Sequence, residues 1–185
     1  MTLIKNIKIL LALTAGSLVI AFGMYFDGKS NNSNNEQEAL MPNFDEILSQ
    51  INSIEFKNSE ESTIIKDIND QWLVTTAMNL PANTELLSRF FVQIKEARVM
   101  GPKTNKPDLF FKLGLDKENV QTLILKSVSD EVLYSLDIGD FNYKIPGTYI
   151  KETSSDQSYL ISANLTTDVS SFYWIPNDLI NIGKE

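Results

Sequence analysis

Residues 81–101 read PANTELLSRFFVQIKEARVMG. They hold the best amphipathic helix pattern in the chain, and what surrounds them decides the fold class. Pro81 marks the start, Asn83 or Thr84 can cap, and Glu85 lies in the first turn. Leu86, Leu87, Phe90, Phe91, Ile94 and Ala97 recur at helical spacing and form one wide apolar face. Arg89, Lys95, Glu96 and Arg98 are expected in solvent, and Gly101-Pro102 is expected to end the helix.

Outward from this helix the chain changes period. Phe44, Ile47, Leu48 and Ile51 predict a short helix, and Ile54 and Phe56 alternate with Glu55 and Lys57 as a strand. STIIKDINDQWLVT, residues 62–75, predicts a hairpin that turns on Ile68-Asn69-Asp70-Gln71, because Asn and Asp tolerate left-handed backbone. On the C-terminal side, NVQTLILKS (119–127) is strongly strand-forming. In EVLYSLDIGD (131–140), Val132, Tyr134, Leu136 and Ile138 fall on one face, with Glu131, Ser135 and Asp137 on the other. GTYIKETSSDQSYLISA (147–163) predicts a hairpin with Ser154-Ser155-Asp156-Gln157 at its tip. The last stretch predicts a short helix, a Trp174 anchor and one more turn after Pro176. Runs of strands around one good helix predict an α+β domain, an antiparallel sheet packed with one main amphipathic helix and short helices.

The N-terminus is of another kind. From Ile9 to Phe26 the chain carries no charge. A helix of that length spans about 27 Å, close to the roughly 30 Å hydrocarbon core of a bilayer. Lys5 and Lys8 precede it and Asp27 follows, which places the N-terminus in the cytoplasm and the rest outside. A cleaved signal peptide is the rival reading; the bulky residues of AFGMYF (21–26) argue against cleavage. The tract DGKSNNSNNEQEA, residues 27–39, is too polar to bury a core and reads as a tether. The expected division is 1–26 cytoplasmic tip and transmembrane anchor, 27–41 flexible polar linker, and 42–185 extracytoplasmic domain. The expected place is a bacterial inner membrane, crossed once, with the C-terminal domain in the periplasm.

Composition closes several chemistries. The 185 residues include 16 basic and 24 acidic ones, a net charge of −8, so no nucleic-acid partner is expected. Taking Lys5 and Lys8 from the 16 basic residues leaves 14 against 24 acidic, about −10 beyond the anchor, so bilayer contact is expected through the helix alone. The chain has no cysteine and no histidine, which removes thiolate chemistry, the commonest general base and the commonest transition-metal ligand. No cofactor, metal site or catalytic residue is expected. Asp67 and Asp70 supply too few oxygens for a calcium loop, and Glu60-Glu61 reads as an exposed charge run. Asp137 and Asp140 are the least poor carboxylate pair for glycoside hydrolysis, against the plainer reading of a polar strand edge. Phe172, Tyr173 and Trp174 form either a partner-binding surface or the closure of a core, and Trp72 carries the same alternatives. Gly114-Leu115-Asp116 lacks the glycine spacing and lysine of a phosphate loop and reads as a corner before a strand.

Taken in order, five segments resemble the bacterial domain of unknown function 4340 family: NDQWLVTT (69–76), LPAN (80–83), FFKLGLD (110–116), LYSLDIGD (133–140) and GTYIKETSSDQSYLISANL (147–165). The likeness covers about residues 45–180. It implies an exported, membrane-anchored protein, here with a single copy of the domain, in a family some of whose members accompany gliding-motility-type ABC transporter components. It carries no catalytic residues over. The expected function is a non-catalytic binding or accessory module for an envelope complex such as a transporter. The alternatives are a carboxylate-dependent envelope hydrolase and a secreted, soluble ligand-binding domain.

Overall fold

The computed structural model describes residues 37–165 and 168–180. The anchor expected over 9–26 and most of the linker lie outside them. Among the described residues no helix is long and apolar enough to cross a membrane.

One nine-stranded sheet organises the domain. In chain order the elements are α1 (Phe44–Leu48), β1 (Ser53–Lys57), β2 (Ser62–Asp67), β3 (Trp72–Val74), β4 (Leu80–Pro81), α2 (Thr84–Glu96), β5 (Val99–Pro102), β6 (Gln121–Lys126), β7 (Val132–Asn142), β8 (Gly147–Glu152), β9 (Ser158–Ile161) and α3 (Asn177–Ile180), with single-turn and longer 3-10 segments between them. The strand order is β4-β3-β2-β1-β6-β7-β8-β9-β5, antiparallel throughout. The α+β expectation with one main helix therefore holds for the described residues.

The register explains where the core sits. Residues directly opposite in an antiparallel pair share a face. Val74, Ile65, Ile54, Leu125 and Tyr134 form one such row across five strands, and Thr63, Phe56, Leu123 and Leu136 form the next. Against these rows α2 sets Leu87, Phe90 and Ile94, all buried. Asn83 caps the helix, its side-chain oxygen accepting from the Leu86 amide at 3.0 Å. The helix leaves β4 at one edge of the sheet and delivers the chain to β5 at the other. The 13-residue helix is about 20 Å long, and short connectors on either side complete the crossing from β4 to β5.

Two expectations about boundaries are corrected. The helix stops at Glu96, not at Gly101-Pro102, because Val99–Pro102 is taken up as a strand by β9. Glu38 to Met41, assigned to the linker, belong to the domain. Leu40 and Met41 are buried in the core, and the Leu40 amide and Glu38 carbonyl bond to Ala97 and Val99. The β2–β3 turn is as expected: Asn69 and Asp70 both have positive φ, 55° and 61°, the mirror-image turn that matches strand twist.

The other face of the sheet is covered too. Residues Pro107–Leu113 form a 3-10 segment whose Phe110 is buried, and Leu115 and Leu160 are buried with it. The segment ends at Gly114, φ 65°, left-handed as a corner requires. β7 bulges between Ile138 and Phe141, and there Gly139 and Asp140 meet the Leu113-Gly114-Leu115 corner.

Candidate functional site

Phe172, Tyr173 and Trp174 occupy a single-turn 3-10 helix, Ser171–Trp174. Three residues per turn send consecutive side chains about 120° apart, so the trio cannot share one surface. Trp174 points inward and is 1% exposed. It stacks on Phe56, with centroids 4.3 Å apart and planes 11° apart, and meets Phe90 edge-on at 6.0 Å. Its Nε1 donates to the Asp168 carbonyl at 2.8 Å, and its own carbonyl accepts from the Asn83 amide at 2.7 Å, beside the start of α2. Trp174 is thereby withdrawn from any surface patch. Phe172 and Tyr173 point outward, 64% and 42% exposed. Trp72 is half-buried and packs against the same core.

Trp174→Phe keeps an aromatic ring against Phe56 but removes the bond to Asp168 and leaves part of the volume empty. Thermal or denaturant unfolding should show a loss of about 1.5 kcal/mol; no loss would contradict the packing described.

Hydroxyl groups fix the outward pair. Thr63 on β2 donates to the Val169 carbonyl and lies 2.8 Å from the Ser171 hydroxyl, which is 2.9 Å from that of Thr76. Thr76 belongs to a second single turn, Thr75–Ala77, packed beside the first. The next residue, Met78, has φ 55° and is 87% exposed, and Asn79 is left-handed as well. An apolar, non-glycine residue held in this region is uncommon. Nothing in the sequence around Met78 signals it. Tyr173 also walls a small cleft of about 200 Å³ with Arg89 and Gln93 of α2 and Asn164.

Asp137 and Asp140 differ in their surroundings, one buried and the other exposed. Asp137, expected on a polar strand edge, is buried under the Pro107–Leu113 segment. Its Oδ2 pairs with Lys151 Nζ at 2.8 Å, while Oδ1 accepts from Thr122 at 2.9 Å and Thr153 at 3.2 Å. The Lys151 ammonium also lies 5.9 Å from the Phe110 ring centroid. Asp140 is exposed at the bulge, packed on Gly114. It lines a concavity of about 420 Å³ with Asn119, Gln121, Phe141 and Tyr143, and among the described residues no second carboxylate lines that space. Asp137, both of its oxygens engaged elsewhere, does not line it.

Asp70 sits in the exposed hairpin turn and Asp67 opposite Trp72. Among the described residues no three acidic side chains are grouped to hold a metal ion. Asp116 works locally: its carbonyl accepts from the Asn119 and Val120 amides, and its carboxylate from the Asn119 side chain.

No curated protein and no solved structure matches the chain. The sequence profile of one family, described as Domain of unknown function (DUF4340), matches residues 72–184. The match begins at β3, so β1 and β2, which lie between β3 and β6 in the sheet, precede it. Covering more than half of the chain, from Trp72 through both hairpins to the aromatic turn, it shows that the chain belongs to that family.

Proposed function

We propose that the protein is a non-catalytic docking module, held at the bacterial inner membrane by residues 9–26, whose periplasmic domain binds an envelope protein such as a transporter component. One observation carries this reading: Phe172 and Tyr173 stand out from one single turn while Met78 stands out from the turn beside it. Phenylalanine, tyrosine and methionine are enriched where proteins meet. The left-handed backbone at Met78 and Asn79 turns the chain from Thr75–Ala77 into β4, and the apolar Met78 side chain stands in water at that turn, which supports a role in contact. The uncharged stretch of 18 residues supports the membrane placement. The occupied carboxylate of Asp137 speaks against the hydrolase reading, since an acid or nucleophile must be free to reach substrate.

Crosslinking in intact membranes tests it. A photoreactive residue at position 172 should give one discrete heavier product. The Met78→Ser/Tyr173→Ser variant should reduce that product at least tenfold while the melting temperature falls by no more than about 5 °C, because Met78 is exposed and Tyr173 gives up only its edge-on contact with Trp174. An undiminished product, or only monomer from the parent protein, would overturn the reading.

A further inference from the structure

The cleft of about 200 Å³ beside Tyr173 holds one of the chain's two arginines. It is built on one stripe of α2: Leu86, Arg89, Phe90 and Gln93 recur at helical spacing and line the same side of the helix. Phe90 and Trp174, both buried, form its floor, and Asn164 and Tyr173 complete its wall. The exposed residues that line it, Arg89, Gln93, Asn164 and Tyr173, all carry hydrogen-bond donors open to solvent. Among the described residues the side chains of Gln93, Asn164 and Tyr173 make no hydrogen bond. Arg89 has only the exposed Glu85 carboxylate, 3.8 Å away and beyond hydrogen-bond reach. Arg98, the other arginine, spends its guanidinium on the Lys95 and Ala97 carbonyls. The Arg89 fork is thus unspent, and it stands at the border of the exposed aromatic turn.

We propose that a glutamate or aspartate side chain of the docking partner enters this cleft and pairs with Arg89. The inference rests on the docking reading, because Tyr173 borders both the cleft and the exposed patch. A planar guanidinium matches a carboxylate through two parallel N–H···O bonds, and it is weakly hydrated, which suits it to interfaces. The Gln93 and Asn164 amides and the Tyr173 hydroxyl supply donors for the remaining lone pairs. The floor of Phe90 and Trp174 keeps water from one side of the pair, which strengthens the attraction. A cationic side chain would meet Arg89 with like sign, and a neutral amide would gain nothing from its charge. Small-molecule sites run to roughly 300–1,000 Å³, so a space of about 200 Å³ suits one side chain better than a metabolite. Glu85 is a weak competitor, since an exposed pair one turn apart contributes little.

The test uses the full chain in intact membranes, with the photoreactive residue at position 172. Arg89→Glu should cut the heavier product at least fivefold. Lys112→Glu makes the same change of charge on the opposite face of the sheet and should leave the product unchanged. A second arm identifies the occupant. Glu85→Gln/Arg89→Lys keeps the positive charge, removes the neighbouring acid, and sets an amine where a water-soluble carbodiimide can join it to a touching carboxylate. Peptide mapping by mass spectrometry should find position 89 joined to a glutamate or aspartate of the partner caught from position 172. Only monomer from position 172 would overturn the docking reading and this proposal together. A position-172 product that Arg89→Glu leaves undiminished would overturn this proposal alone. So would a carbodiimide reaction that leaves position 89 unjoined, or that joins it to residues 181–185, the chain's own acidic end.

Discussion

Gly139→Val is expected to lower the stability of the domain by roughly 3 kcal/mol, through overpacking that the structure has no slack to absorb. A Cβ built on Gly139 would run into the Leu113 carbonyl oxygen, with the Leu115 side chain 3.0 Å away. The obstacle is backbone, so no rotamer change can relieve it. Relief requires either the β7 bulge or the Leu113-Gly114-Leu115 corner to move, and both are pinned. The bulge sits between the Ile138–Ile150 and Phe141–Thr148 pairs. The corner is held by the Leu115 amide, which donates to the Phe110 carbonyl at 3.1 Å, and by burial of Leu115 itself. Gly114 is the partner constraint: a Cβ there would lie 2.8 Å from the Asp140 backbone nitrogen. Denaturant unfolding followed by far-UV circular dichroism checks the prediction. Gly101→Ala is a useful control, since a Cβ at Gly101 meets nothing within 4 Å, although φ 149° still disfavours any side chain. A near-native midpoint for Gly139→Val would mean that the segments FFKLGLD (110–116) and LYSLDIGD (133–140) do not lock together as described.

That contact also marks the limit of what the residues alone disclose. Local features were legible. Asn69-Asp70 announced its turn because few other residues accept left-handed backbone, and α2 announced its buried face through spacing. Features created by distant partners were not. Val99–Pro102 has no alternation and ends in Gly-Pro, so it reads as a helix stop; β9 on one side and residues 38–40 on the other make it a strand. Asp137 alternates with apolar neighbours and so reads as facing water, until the Pro107–Leu113 segment folds across that face. The aromatic trio was misleading in one respect that geometry could have corrected. Consecutive residues diverge on any helix, so at most two of Phe172, Tyr173 and Trp174 could share a surface. Met78 carries no signal at all, since its exposure depends on the tertiary placement of a single turn.

The other large effect is expected at the buried ion pair. Lys151→Met should cost about 3 kcal/mol, because it leaves the Asp137 carboxylate under Phe110 with two hydroxyl donors and no counter-charge. The side chains of Lys151 and Asp137 are only 10% and 12% exposed, so solvent cannot substitute for the missing partner. Asp137→Leu alone should cost a similar amount, since it strands an ammonium group whose other contacts are the Glu152 carbonyl at 3.4 Å and the face of Phe110. The double variant separates pairing from burial. Two charges taken from water recover their desolvation only in part through mutual attraction, so Asp137→Leu/Lys151→Met should lie well above either single variant, within about 1 to 2 kcal/mol of the parent. The remaining deficit is chiefly the Thr122 hydroxyl, which loses its acceptor, since the exposed Thr153 hydroxyl keeps that of Ser135 2.8 Å away. Chemical denaturation of the four proteins closes the cycle, and a coupling of at least roughly 2 kcal/mol is expected. Additive losses would mean that the two side chains are solvated in solution and that the Pro107–Leu113 segment does not seal this face. Asp137 would then be free to act as an acid or base, and the docking reading would lose one of its supports.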